Sequence, residues 1–364
     1  NKETSHRSEV TADGNVLVIG NKGVSITGSQ VKGSKDGYVQ AIKGVIKIDN
    51  AISTTTTKID ERTGVAFNIT GSSHKANNRD EKVIGSELAS DANLKIISKD
   101  NIDVIGSMVA TAGELGIETL GEVNVKAAQA QQKIDEQKTK LTISGFTSDD
   151  GKHQYQAGLK LSHTSESEKT DSTKNHSASL EGSSIKVDAQ KDVTFIGSNI
   201  TATKGDADIK GENVSFVATQ DTLSSNKTKE TVGVDFHYTG GMDKAGSGVN
   251  VNYEDTQTTS NKSTAVVSNS KVAGNLNISA SKDITNQGTD HRVGGDYQAQ
   301  GNNIHNLAAE NSEITNTKTT KVDVGYEANI AYGEVTRPLE DVINKTQKLD
   351  LGGMIEALNE VSGP

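Results

Sequence analysis

The chain has 364 residues, a formal net charge of −10, 36 Gly, 2 Pro, no Cys and no Trp. Hydrophobic residues make up only 32% and aromatic residues 3%, which excludes a thick globular core, while scarce Pro and 24% balanced charge exclude compositional disorder. The acidic excess excludes an electrostatic footprint for nucleic acid or an anionic membrane, and zero Cys removes disulfides, thiol nucleophiles and thiolate metal sites together.

The opening Asn1-Lys2-Glu3 has no Met and no signal peptide, which reads as an internal fragment. No stretch approaches the ~18 to 20 consecutive apolar residues that span a bilayer as a helix. Repeats then organise the chain. Ile26-Thr-Gly28-Ser, Ile105-Gly106-Ser107, Ile196-Gly197-Ser198 and Asn286-Gln-Gly288-Thr289 place their glycines 78, 91 and 91 residues apart. That is a super-repeat of about 90 residues. Three further stretches, beginning at Gly85, Gly182 and Asn269, are also overlaid as equivalent starts of a strand pair, a polar turn and alternating apolar residues.

Inside the super-repeat a shorter rhythm runs. Ile185/Val187, Val193/Phe195, Ile200, Ala207/Ile209 and Val214/Phe216 recur every seven or eight residues, broken by Gly, Asn or Asp. Three such strands make a coil of about 20 to 25 residues, the size expected for a parallel β-helix. The expected inward positions include Val187, Val193, Phe195, Ile200, Ile209, Val214 and Phe216. A shaft over residues 1–335 with a dozen or so coils would be a rod of roughly 50 to 60 Å at ~4.8 Å per coil. No Pro occurs before Pro338, as expected where strand N–H groups donate to a neighbouring coil.

Segments near 50–82, 126–180, 221–266 and 312–335 have another texture, rich in Thr, Ser, Lys, Glu and Asn. They read as hairpin excursions. The first encloses Val65–Ile69. The second has Leu141–Phe146, a turn at Asp149-Asp-Gly151 and Leu159–Leu161. The third alternates Val232, Val234, Phe236 and Tyr238, answered by Val249, Val251 and Tyr253 across Gly240–Gly248. Its opposite face is polar, with Thr231, Gly233, Asp235, His237, Asn250 and Asn252. The fourth has Val322–Tyr326 and Ile330–Tyr332 and no obvious return strand. Three arrangements would cover the apolar faces: packing on the shaft, pairing with a neighbouring excursion, or contact with a membrane or partner. Residues 336–364 change class: Leu339, Val342, Ile343 and Leu349 after Pro338 suggest a short amphipathic helix, a cap or the start of another region.

Asp103-Val-Ile-Gly-Ser-Met-Val-Ala110 and Asp192-Val-Thr-Phe-Ile-Gly-Ser-Asn-Ile-Thr-Ala202 resemble the haemagglutinin repeats of filamentous-haemagglutinin-like exoproteins. Their alternation with Gly64-Val-Ala-Phe67 and Gly233-Val-Asp-Phe236 is similar to the distal repeat class of contact-dependent-inhibition toxin-delivery proteins and related two-partner-secretion adhesins. The resemblance covers about residues 10–335. It implies an all-β, right-handed parallel β-helix. It also implies export through an outer-membrane two-partner-secretion transporter, and a place secreted from or on the surface of a Gram-negative bacterium, outer-membrane-associated or periplasmic before delivery. The expected role is a non-enzymatic filament stalk that serves toxin delivery across a target-cell outer membrane. The alternative is an adhesin or binding module acting through the hairpins on an outer membrane, a receptor or a second copy. A carbohydrate-active β-helix enzyme ranks last.

No residue is assigned to catalysis, a cofactor or a metal. His6, His74, His153, His163, His176, His237, His291 and His305 show no His-x-His or His-x-x-x-His spacing. Asp149-Asp150-Gly151 and Gly205-Asp206-Ala-Asp208 lack the run of oxygen ligands that Ca²⁺ requires and read as turns. Gly240-Gly241 and Gly246-x-Gly248 follow a strand but precede another strand, so they are no phosphate cradle. Arg7, Arg62, Arg79, Arg292 and Arg337 are scattered, unlike the clustered face of a polysaccharide lyase.

Overall fold

Runs of four to six residues in which Val, Ile or Leu alternate with polar residues favour short strands with one buried edge. In the computed structural model, which describes residues 2–64, 70–149, 154–241 and 244–331, these strands stack as a parallel β-helix. Three parallel walls of eight strands each form the shaft, and every coil gives one strand to each wall. A central coil consists of Met108–Thr111, Glu114–Thr119 and Val123–Lys126. The coil before it lies in register: Leu88 pairs with Val109, Ile96 with Ile117 and Val104 with Val125.

The core is a narrow column of small aliphatic side chains. Val109, Leu115, Ile117, Val123 and Val125 are each 0% exposed, which explains how so little hydrophobic residue fills the interior. All seven expected inward positions, Val187, Val193, Phe195, Ile200, Ile209, Val214 and Phe216, are at most 1% exposed. The rings of Phe195 and Phe216, on adjacent coils, stack with centroids 4.7 Å apart. Asn and Asp hold the corners between walls. Asn93 Oδ1 accepts from the Glu114 N–H at 2.9 Å, and Asn101 Oδ1 accepts from that of Glu122 at 2.9 Å. Asp206 Oδ1 accepts from the Asn275 N–H, whose own Oδ1 accepts from that of Asp296, both at 2.7 Å.

The third corner alternates between two forms. In the first, third… odd-numbered coils counted along the shaft, or their equivalents, it closes through Gly28, Gly106, Gly197 and Gly288, whose φ values of 54°, 52°, 52° and 58° disfavour a side chain. A Cβ on Gly28 would lie 2.5 Å from that of Ala51, and Gly106, Gly197 and Gly288 face Ala128, Thr219 and Ala309 in the same way. After the second, fourth and sixth coils the chain instead leaves as a long hairpin. The hairpins are Ala51–Gly64 with Gly71–Ile84, Ala128–Asp149 with Gln154–His176, and Thr219–Gly241 with Lys244–Val266. The strand Ser312–Ala331 follows the eighth coil. Buried serines fasten the chain where it returns: Ser86 Oγ donates to the carbonyls of Ile26 and Asp49, and Ser268 Oγ to those of Phe195 and Val217.

The hairpins join edge to edge. Together with Lys2–Glu3 they form one eight-stranded antiparallel sheet beside the shaft. Strand spacing accounts for this. Two coils advance about 9.6 Å, and the two strands of a hairpin occupy the same width at ~4.8 Å per strand. One hairpin per two coils therefore meets its neighbours at hydrogen-bonding distance.

Several expectations are corrected. There are eight coils among the described residues, spanning about 34 Å rather than 50 to 60 Å at ~4.8 Å each. The difference went into hairpin strands of 22 and 23 residues, much longer than their apolar stretches. Residues 240–248 are not a broad turn: the strand runs to Gly241 and resumes at Lys244. Gly182 and Asn269 are not equivalent to Gly85, because Glu87 lines up through successive coils with Ser179 and Asn269, and Gly182 closes its strand opposite Ala202. No helix occurs among the described residues. Val65–Ile69, the turn at 150–153 and the expected helix in 336–364 lie outside them.

Towards its C-terminal end the core turns polar. Ser270 and His291 continue the row begun by Ile200, and Asn286 continues that of Phe216. The His291 ring meets Phe216 edge-on at 4.9 Å and stacks on Tyr297 at 5.8 Å. Burial pushes its imidazole below the usual histidine range, with Asp290 opposing.

Phe195→Ala should destabilise the shaft by about 3–5 kcal/mol in urea unfolding, by loss of burial plus a cavity. Gly197→Ala should cost about 1–3 kcal/mol from left-handed strain and the clash with Thr219, leaving the unfolded chain otherwise alike. His291 is neutral in the fold and protonates more readily when unfolded. Stability from this residue is therefore complete above the ordinary histidine pKa and falls as pH drops through it. Denaturation midpoints at pH 7 and pH 5 should differ less for His291→Leu than for the parent.

Candidate interaction surface

The outer sheet is a single layer with two unlike faces. Residues opposite one another on neighbouring strands share a face, so the register defines each row. Near the hairpin tips one face carries Leu141, His163, Val232, Tyr253 and Val322 in one row, then Ile143, Leu161, Val234, Val251 and Val324 in the next. Gly145, Leu159, Phe236, Val249 and Tyr326 follow, and beyond them Ala157, Tyr238, Ala328, Tyr155, Ala245 and Ile330 continue to the end. Nothing covers this face. Leu159 is 55% exposed, Tyr238 58%, Val324 58% and Tyr155 62%.

The same face is polar below Leu141. The row Thr139, Ser165, Glu230, Asp255 and Thr320 marks the border, and Gln137, Ser167, Thr228, Gln257 and Lys318 lie beneath it. Tyr253 stands just above that border. Partial burial and the carboxylates of Glu230 and Asp255 push its phenol above the usual range, so it stays protonated.

The reverse face is polar along its whole length. Lys160 pairs with Asp235 at 3.6 Å, and Lys227–Glu168 and Lys229–Glu166 pair across strands at 3.0 Å. Glu136 accepts from Asn78 Nδ2 at 2.8 Å and pairs with Lys138 at 3.0 Å, and both hold its carboxyl below the usual range. Glycines on this face leave room for neighbouring side chains to lie flat. A Cβ at Gly233 would strike the Asn252 amide, and one at Gly248 the His237 ring.

The third hairpin pairs Val232 with Tyr253, Val234 with Val251 and Phe236 with Val249, as the alternation required. Of the three arrangements open to it, edge pairing with its neighbours is the one present. The sequence did not signal the polar stems, since Thr, Ser, Lys and Glu on both faces leave no hydrophobic period.

The histidines stay apart. His163 and His237 lie on opposite faces of the outer sheet, His74 stands 3.6 Å from Glu136, and His291 closes the shaft core. His6, His176 and His305 are exposed, and His153 lies outside the described residues. Among the described residues no group of three His, Cys, Asp or Glu is placed to hold a metal. Asp206 and Asp208 spend their oxygens on Asn275 and Asn277 of the next coil. Arg7 donates to the Gly85 carbonyl at 2.6 Å, and Arg292 pairs with Asp290 at 2.9 Å, so neither faces a shared site. A groove of about 390 Å³ on the stem is lined by polar side chains such as Lys133, Asp171 and Thr222. No helix among the described residues is long and apolar enough to cross a membrane.

Comparison with known proteins adds the family. A hemolysin of Serratia marcescens is 49% identical over all 364 residues, and a hemolysin of Proteus mirabilis 41% identical over 349 residues, 95% of this chain. The chain spans only 23% and 22% of those relatives. No solved structure matches. Residues 67–234 and 249–337 match the family model described as Hemagglutinin repeat. Repeated glycine corners, stacked coils and this match agree: the chain belongs to the haemagglutinin repeat family.

Proposed function

We propose that this chain is a non-catalytic stalk segment of a large secreted exoprotein, exported through an outer-membrane two-partner-secretion transporter to the surface of a Gram-negative bacterium. The carrying observation is the commensurate stacking of coils and hairpins, in which nearly every strand is spent on a neighbour. Such a body supplies length and stiffness. Scattered Arg and His, and carboxylates used in corner ladders, support a role without chemistry of its own. The hemolysin name of the two relatives supports a parent protein that acts on cell membranes, with this segment holding the acting part away from the producing cell. Delivery of a toxin across a target-cell outer membrane is the narrower form of that role. An adhesive role through the hairpins is the second reading, favoured by the exposed apolar tips.

A stalk made of repeating units tolerates a change of length. A second copy of residues 107–197 inserted after Gly197 preserves the corner sequence and adds two coils and one hairpin. The lengthened chain should unfold cooperatively, and small-angle scattering should show a shaft longer by about 9.6 Å. The full-length exoprotein carrying the insert should be exported in parent-like amounts. An insert that unfolds, or export that fails while the lengthened shaft folds, would overturn the reading.

A further inference from the structure

We infer that the apolar face at the hairpin tips is a lipid-contacting surface that lies flat in the interface of a membrane. This goes beyond the stalk reading and does not depend on it. Across the five strands from Ala128–Asp149 to Ser312–Ala331, the face measures about 19 Å by 27 Å from strand spacing and rise. It holds Leu159, Phe236, Val251, Val324 and their neighbours, and no Lys, Arg or Glu. Asp149 alone brings a carboxylate, at the end of the outermost strand beside Tyr155.

Three occupants can be compared. The shaft is not one, because the apolar rows begin beyond a polar stem of about ten residues per strand. A second copy is poorly served. A footprint of about 500 Å² per chain falls short of the ~800 Å² per partner of a stable interface, though it ranks among the larger exposed patches of a monomer. A lipid interface needs no fixed partner area. It asks for one apolar and one hydrated face, and the reverse side supplies the latter with Lys160–Asp235, Asn250, Asn252 and His237.

The orientation also follows. The height of about 27 Å is close to the ~30 Å of the hydrocarbon core, but a spanning sheet would place both unpaired edges in hydrocarbon. Beyond Leu141 the outer edge of Ala128–Asp149 has no partner, and neither has that of Ser312–Ala331, among the described residues. Lying flat keeps both edges at the level of the headgroups, as an amphipathic helix does. With a net charge of −10, the attraction is apolar rather than electrostatic.

The absence of Trp makes the test direct. Tyr238→Trp and His237→Trp place one indole on each face of the 364-residue chain. With phosphatidylcholine vesicles, the Tyr238→Trp emission should shift to the blue and be quenched by brominated lipid, at low and high salt alike. The His237→Trp emission should do neither. Phe236→Lys should weaken vesicle binding about thirtyfold or more, as a lysine facing lipid does in a membrane sheet. Phe236→Leu, which keeps the face apolar, should bind like the parent and controls for folding. Equal responses from the two indoles, no vesicle binding by the parent, or a lipid-indifferent dimer that Phe236→Lys dissociates would overturn the inference.

Discussion

Each coil of the shaft must present its backbone N–H and C=O groups to the coils on either side, and everything else in the molecule accommodates that demand. The demand fixes the coil length at 20 or 21 residues where no excursion intervenes, as in Glu87 to Met108 or Ser179 to Asn199. It restricts the interior to side chains that fit one layer. It also confines added chain to a corner, where a departure costs no wall hydrogen bond. Gly28, Gly106, Gly197 and Gly288 mark the coils in which that corner stays shut.

The same rise of about 4.8 Å sets the outer sheet. A hairpin leaving every coil would be crowded against its neighbour, and one leaving every third coil would leave a gap of two strands. Alternation by two matches the width of a hairpin. The shaft thus supplies register to strands whose own sequence specifies little, since stems rich in Thr, Ser and Lys have no buried face to choose. Lys227–Glu168 and Lys229–Glu166 refine the alignment, though such exposed pairs contribute little stability.

What was legible in the sequence follows this division. The inward residues of the shaft were readable because burial imposes a period of two on Val193/Phe195 and Val214/Phe216. The corner glycines were readable because a left-handed backbone recurs at the same place in every unit. The hairpin tips were readable from Val232, Val234, Phe236 and Tyr238. The stems were not, because both faces are wet and neither selects apolar residues. Gly246 and Gly248 were misread as turn signals; in the sheet they are strand positions on which Asn329 and His237 lie. The count of coils failed for the same reason, since residues hidden in the stems were assigned to the shaft.

The wall pairings also set how the chain reaches its structure. Within a pair of coils, a strand finds its partner 20 or 21 residues earlier, and every hairpin strand finds its mate across its own turn or in the hairpin before it. No strand of the shaft waits for a segment from the far end of the chain. Loop closure is short at each step, so the search is local despite the all-β content. A completed coil offers a template to the next, and growth proceeds as in other stacked-repeat proteins. A chain released from one end can therefore fold as it emerges, each new coil ratcheting the remainder outward.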